Sequence, residues 1–340
     1  MKKISIMITS YNLVDYIDES ITSVIKQEMP CDWELLIGDD GSNDGTIEKL
    51  KKWHETDPEH ISYYVNERPK TTVKDGYRAA KNRASLLEKA SGDYLIFLDG
   101  DDCWLGIEKL KKQFAILEDQ ANADCSCCAH NIEAYVIPED RRYNWIREDL
   151  LDQKFSIENY WSYYYFHTNP LLFRKECKAL LLDPSYRDHL NDNLITFIVL
   201  QFGKVYYLNQ VYARYNMTGD GLWTGRSKIY GLFRNITLFD LEIQIAPKLR
   251  KQTMRKHYRE ILQVIRVYNA DDYQSIVPIM EPLNEKEFPT VFLLSKTHSL
   301  TLREIIRKTS LLLESALCMV KMKLLNIYNK IRWTLTRVNR

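Results

Sequence analysis

Three carboxylates fall within four positions directly behind the apolar run of YLIFLDGDDCW (residues 94–104): Asp99, Asp101 and Asp102. Carboxylates held about 4 Å apart repel by about 4 kcal/mol per pair at an effective dielectric of about 20. Such a cluster is costly unless a cation, or a cation carrying an anionic ligand, neutralises it. One Asp would cap the helix that follows, whereas three add repulsion. The spacing points to a ligand site rather than to a solvated capping turn.

Two other polar clusters end apolar runs: Thr9-Ser10-Tyr11-Asn12 after ISIMI, and Asp39-Asp40-Gly41-Ser42 within WELLIGDDGS. The second mimics a calcium loop, with Asp40, Ser42, Asp44 and Gly45 at positions 1, 3, 5 and 6. Position 12 is then Lys51, where a bidentate Glu is required, and the reading fails. No G-x4-GK[ST] is present, which excludes a P-loop NTPase. An aspartyl-nucleophile phosphatase carries D-x-D after its first strand, whereas here it follows the fourth. Cys125, Cys127, Cys128 and His130 lack the paired C-x2-C halves of a structural zinc site and are expected to pack in a buried strand.

The elements that must position these clusters follow from periodicity. Short apolar runs at Ile4–Ile8, Trp33–Ile37, Ile61–Val65 and Tyr94–Leu98, with a fifth in ADCSCCAHNIEAYV, alternate with amphipathic helical patterns. The first of these helices is expected to bury Ile17, Ile21, Val24 and Ile25. YRAAKNRASLLEKA stops at Ser91-Gly92, which suits a C-terminal cap. Strands alternating with helices predict βαβ units and an α/β, mainly parallel sheet flanked by helices. In such sheets ligands bind beyond the carboxyl ends of the strands, where all three clusters are predicted to meet on one rim.

Composition narrows the partners. With 47 basic and 46 acidic side chains the chain lacks the basic excess of a nucleic-acid binder. Nine Lys/Arg against two Glu fall in residues 301–340, leaving about −6 on residues 1–300. Seven cysteines without a disulfide-like spacing suggest a reducing, cytoplasmic setting. The opening MKKISIMITSYN has too short an apolar run for a signal peptide, and no run suffices to span a membrane.

ISIMITSYN, WELLIGDDGSNDGT and AAKNRASLLEKASGDYLIFLDGDD, taken with their spacing, resemble the inverting nucleotide-sugar glycosyltransferases of family 2, which have the GT-A fold. The resemblance covers about residues 1–220 and is densest over the first 115. It implies a metal-dependent transfer of a sugar from a nucleotide-sugar, expected to be a UDP-sugar, to a glycan or lipid-linked acceptor in surface polysaccharide synthesis. It implies that Thr9 and Tyr11 line the nucleotide pocket and that Asp40 hydrogen-bonds the base. Lys81 stands where the family has a phosphate-binding Arg, keeping the charge without the bidentate fork. Asp101 is implied to hold Mn²⁺ or Mg²⁺, and Asp99 the ribose or a metal-bound water, with Asp102 just behind. The family's base is the Asp of an E-D pair opening a later helix. Asp192 in Leu190-Asn191-Asp192-Asn193 matches it, although Asn191 replaces the Glu and Asp188 is a rival. Arg214 and Trp223, the latter in the GDGLWTG loop, lie where relatives carry a lid over the diphosphate. His167 and Thr168 are expected on the acceptor side.

Beyond residue 140 the alternation loosens. Residues 143–166 hold nine aromatics, suited to stacking on sugars or to core packing. The expected division is a catalytic domain at 1–225, with a nucleotide-binding half at 1–115 and an acceptor half at 116–225, then a mostly helical region at 226–340. The last segment, 310–340, is expected to form a basic amphipathic helix. It suits peripheral contact with the inner face of the cell membrane, docking on the catalytic domain, or a homodimer seam. Competing readings are a nucleotidyltransferase making an activated sugar, which lacks its Gly-rich basic loop here, and a catalytically inactive nucleotide-sugar-binding module.

Overall fold

The computed structural model describes residues 1–67, 77–146, 150–160, 166–218 and 227–296. Trp223 and the 310–340 tail lie outside the described residues. The chain divides into two compact units, Met1–Arg226 and Ser227–Arg340.

The first unit opens with the expected alternation: β1 (Lys3–Ser10), α1 (Ile17–Ile25), β2 (Asp32–Asp39), α2 (Thr46–Thr56), β3 (Ile61–Val65), α3 (Tyr77–Lys89) and β4 (Tyr94–Asp99). It continues with β5 (Cys103–Trp104), α4 (Lys109–Glu118), β6 (Cys125–Val136), β7 (Arg141–Asn144), β8 (Gln153–Phe155), α5 (Ile157–Tyr160), β9 (Leu172–Arg174), α6 (Lys178–Leu181), α7 (Asp192–Val199) and β10 (Lys204–Met217). β1 is central and buried on both faces, with Ile4, Ile6, Met7 and Ile8 fully covered, as a parallel strand between two layers of helices requires. α1 buries Ile17, Ile21 and Val24, but Ile25, its last residue, is 38% exposed, a correction to the expected apolar face. Cys125, Cys127, Cys128 and His130 are buried along β6, where burial drives the Cys127 thiol well above its ordinary range.

The sheet runs β3-β2-β1-β4-β9-β6-β10-β5. β1, β2, β3 and β4 are parallel to one another, and β6 is parallel to β10. β9 is antiparallel to both β4 and β6, wedged between strands that precede it in sequence. Arg174 pins it there, donating to the Cys125 carbonyl at 3.0 Å and to Tyr94 Oη at 2.9 Å. The register pairs Tyr94 with Arg174 and Leu95 with Phe173, so residues just before β9 run toward the carboxyl end of β4. β5, two residues long, pairs Cys103 with Arg214 and Trp104 with Ala213 of β10. The later strands thus deliver the 167–169 and 214–216 segments to the aspartates.

The second unit is helical where described: α8 (Lys228–Ile245), α9 (Arg250–Val267), α10 (Tyr273–Met280) and α11 (Pro289–Ser295). A buried ion cluster joins α8 to α9: Lys256 Nζ lies 2.6 Å and His257 Nε2 3.1 Å from the Glu242 carboxylate. On the same helix Asp240 accepts from the Thr290 and Val291 amides at 3.0 and 3.2 Å, at the start of α11. Among the described residues no helix is long and apolar enough to cross a membrane.

Two outcomes follow. A Cβ on Gly92 would lie 2.6 Å from the Ser5 nitrogen and 2.9 Å from the Lys3 carbonyl, both backbone atoms of β1. Gly92→Ala is expected to destabilise the protein by about 1–3 kcal/mol in urea unfolding. Burial pushes the Asp240 carboxyl up to about 7, against the hydrogen bonds from α11. The folded protein therefore holds this proton more tightly than the unfolded chain, and the associated stability is lost as pH rises from about 4 through 7. Asp240→Asn should flatten that slope, gaining up to about 4 kcal/mol on wild type between pH 4 and 8 in melting experiments.

Candidate active site

Strand register brings the three polar clusters onto one rim. Thr9 at the end of β1 lies opposite Gly38 of β2 and Asp99 of β4. The Gly100 amide donates to the Thr9 carbonyl at 2.8 Å. A Cβ on Gly100 would come within 2.9 Å of that oxygen, which is why the residue inside D-x-D is glycine. The two loops beyond β1 and β2 are stapled together: the Asn12 amide donates to Ser42 Oγ at 2.8 Å and the Val14 amide to Asp44 Oδ2 at 3.0 Å. Asp39 accepts from the Ser42 amide at 2.7 Å and its hydroxyl at 2.6 Å. Asp39 and Asp44 thus build the turn. Asp40, buried beside them, takes both ends of the Arg78 guanidinium, at 2.7 and 2.6 Å.

Each rim aspartate has a distinct environment. Asp99 Oδ1 accepts from Thr9 Oγ1 at 2.8 Å and from Arg83 at 2.8 Å. Asn169, fully buried, accepts from the Asp99 amide through its side-chain oxygen and donates through its nitrogen to Asp102. Asp102 also accepts from the Asn216 amide at 2.8 Å. Half-buried Asp101 receives no side-chain hydrogen bond from another described residue, though Asn216 Nδ2 donates to its carbonyl at 2.7 Å. Burial would raise Asp99, but the Arg83 guanidinium, His167 and the Thr9 hydroxyl hold it below the usual carboxylate range. Burial and then the Asp99 charge push Asp101 up to about 6. Burial and both neighbours drive Asp102 well above its ordinary value. Among the described residues, Arg83 is the Arg or Lys that pairs with these three acids. Asp99, Asp102 and His167 offer ligand atoms within 4.8 Å of one another, an oxygen and imidazole set that suits a divalent cation.

His167 also links this cluster to the start of α7. Its Nε2 is 3.5 Å from Asp192 Oδ2, and the Thr168 hydroxyl is 3.4 Å from Asp192 Oδ1. Asn191 is the N-cap of α7, its side chain accepting from the Leu194 amide at 3.0 Å. Asn in place of Glu at this position therefore serves the helix end, with Asp192 in the first turn. Asp188 stands on a short 3-10 turn, its side chain 47% exposed and 3.9 Å from Lys81 Nζ.

Several expected residues lie apart from the cluster or gain unexpected partners. Lys81 faces outward with a side chain 62% exposed; Arg83, two residues on, is the cation on Asp99. Helical spacing carried that signal, since Arg83 falls three residues after Ala80 and four before Leu87, both buried. Arg78 was not singled out in the sequence either; it lies one turn before buried Asn82. Arg214 pairs with Glu133 at 2.8 Å and with Glu19 at 3.7 Å. Tyr11, 37% exposed, sits at the rim beyond β1. Asn169 went unnoticed because it carries no pattern of its own, and Asn216 stood out only as the start of an Asn216-Met217-Thr218 sequon, which says nothing of Asp102.

The sequence model described as glycosyl transferase family 2 matches residues 5–181. The chain belongs to this family. A GalNAc(5)-diNAcBac-PP-undecaprenol beta-1,3-glucosyltransferase of Campylobacter jejuni is 30% identical over 282 residues, 76% of this chain and 81% of that protein. WfgD of Escherichia coli, a UDP-Glc:alpha-D-GlcNAc-diphosphoundecaprenol beta-1,3-glucosyltransferase, is 38% identical over 114 residues. That match spans 34% of this chain and 40% of WfgD, less than half of the relative. Among solved structures, TarS 1-349 of S. aureus in complex with UDP-GlcNAc superposes with a TM-score of 0.58 at 17% identity, covering 88% of each chain. At that identity the likeness speaks for the fold, and the GT-A architecture of this family 2 chain is shared with TarS.

Asn169 is the hinge of the aspartate network. Asn169→Ala would strip a donor from buried Asp102 and an acceptor from the Asp99 amide, and is expected to cost about 1–3 kcal/mol by denaturant titration.

Proposed function

We propose that this chain transfers a sugar, with inversion, from a nucleoside diphosphate donor to a hydroxyl of a glycan or lipid-linked saccharide. Asp192 is the general base that takes the hydroxyl's proton. The observation that carries this reading is His167, whose ring nitrogen lies within 4.8 Å of carboxylate oxygens of Asp99 and Asp102 and whose Nε2 is 3.5 Å from Asp192. One side chain thus separates the carboxylates suited to a donor's diphosphate and cation from the carboxylate suited to an acceptor.

Asp99 and Asp101 are the proposed holders of Mn²⁺ or Mg²⁺, with Asp102 and His167 adjoining. A bound divalent cation supplies Lewis-acid stabilisation of the charge that grows on the departing diphosphate. Asp40 and Arg78 together present an acceptor beside donors, which matches the imide N–H and flanking carbonyls of uracil, and Tyr11 is the proposed stacking partner of the base. UDP-sugar use is further supported by the names of WfgD and of the TarS complex. A lipid-linked acceptor is supported by the undecaprenol-linked substrates named for the Campylobacter and Escherichia relatives. The basic 310–340 segment is the proposed contact with the cytoplasmic membrane face.

The test is thermal stabilisation by UDP, GDP and dTDP, each with Mn²⁺ and with EDTA, on wild type and Asp101→Ala. Ligand-linked stabilisation grows as RT ln(1 + [L]/Kd). A Mn²⁺-dependent shift with UDP, lost in the variant, is expected; no shift with any nucleotide sinks the reading. Asp192→Asn should lower turnover by about 10²–10⁴-fold while keeping the UDP shift. Asp188→Asn should retain activity within about threefold, and the reverse result would make Asp188 the base.

A further inference from the structure

We propose that Arg83 is a positioning residue that sets the distance between the donor-binding carboxylate and the general base. This rests on the functional reading above. One guanidinium nitrogen lies 2.8 Å from Asp99 Oδ1, and the other donates to the Leu190 carbonyl at 3.3 Å, two residues before Asp192. Arg83 is 8% exposed and Leu190 1%, so the Leu190 contact is buried and the Asp99 contact partly so, which strengthens charge-assisted hydrogen bonds.

The geometry of the 187–192 segment shows what the second contact does. A 3-10 turn, Arg187–His189, gives way to α7 through Leu190 and Asn191, and Asn191 is fully extended at φ −130° and ψ 176°. That crossing needs tethers. The Asn191 side chain ties it forward to the Leu194 amide, and Arg83 ties it sideways to α3. α3 is itself a fixed platform. Asn82, the residue before Arg83, donates to the Gly38 carbonyl of β2 at 2.7 Å. Along the same helix, Tyr77 meets the His189 ring edge-on at 5.1 Å and Glu88 pairs with Arg187 at 2.7 Å. Arg83 is the member of this seam that also reaches the aspartate rim.

Neutralising Asp99 needs only a cation, which lysine supplies. Holding Asp99 and the Leu190 carbonyl at once uses the planar fork, which lysine lacks. Thr9 holds the same Asp99 oxygen without touching Leu190. The three side-chain contacts therefore separate two roles that would otherwise be lost together.

The experiment uses the full chain with Arg83→Lys, Arg83→Met and Thr9→Val. UDP affinity with Mn²⁺ is read by calorimetry, and turnover by UDP release from UDP-glucose, UDP-galactose and UDP-N-acetylglucosamine. Hydrogen exchange over residues 190–195 provides a readout independent of activity. Arg83→Lys should keep UDP affinity within about threefold, lower kcat about tenfold or more, and speed exchange in that segment, since displacements near 1 Å can cost about 10²-fold. Thr9→Val should show the opposite split, with weaker UDP binding and unaltered exchange. Arg83→Met should lose both; if it does not fold, the other two variants decide. Equal factors on affinity and kcat in Arg83→Lys, or no change in either, would overturn the proposal. A wild type inert to UDP and to all three donors would instead overturn the functional reading, and the positioning role with it.

Discussion

The carboxyl rim is organised around the mutual repulsion of Asp99, Asp101 and Asp102. A sheet cannot end in three adjacent acids unless each is contained, and the fold brings four separate parts of the chain to do so. Thr9 and Arg83 take Asp99, Asn169 bridges Asp99 to Asp102, and Asn216 closes on Asp102 and the Asp101 backbone. Among the described residues Arg83 is the guanidinium that pairs with this concentration of acid, and its direct contact is with Asp99. Asp101 and Asp102 are left with raised affinity for protons, and a bound divalent cation would displace those protons. Containment by hydrogen bonds, with charge balance left incomplete, is the condition under which such a rim is both stable and ready for a ligand.

The way the later strands enter the sheet follows from the same constraint. β9 runs antiparallel between β4 and β6, and its register carries the preceding residues back along β4 until Asn169 stands beside Asp99. His167 and Thr168 arrive with it and meet Asp192. β10 returns parallel to β6 and, through its short pairing with β5, sets Asn216 against Asp102. A parallel β9 would have sent the 167–169 segment to the far end of the sheet. The antiparallel insertion of β9 is what places groups suited to donor and acceptor on one edge.

The second unit contains buried charge by the same rule. Glu242 is fully buried, and burial alone would raise its carboxyl, yet Lys256 and His257 beside it hold it below the ordinary range. Asp240 accepts from Thr290 and Val291 with Arg250 acting at a distance, and its proton affinity rises instead. Whether a buried acid ionises here depends on whether a cation reaches it, as it does at the rim.

Much of this was legible from residue types and spacing. The βαβ alternation, the α/β class, the convergence of three polar clusters and family 2 membership all follow from local patterns. Hydrophobic periodicity is a property of neighbours a few positions apart, and the motifs at strand ends are contiguous. The pairing of side chains across the sheet is not local. Arg83 reaches Leu190 over 107 positions, and Asn216 reaches Asp102 over 114. Matching by position favoured Lys81 and placed Arg214 near the diphosphate lid, whereas the helix turns Lys81 to solvent and the strand commits Arg214 to Glu133. The sequence by itself determined which groups would crowd the carboxyl rim, because strand ends and turns are written in short runs. Only the tertiary structure decided which asparagines hold the acids, because the pairings of β9 and β10 with strands distant in sequence set those distances.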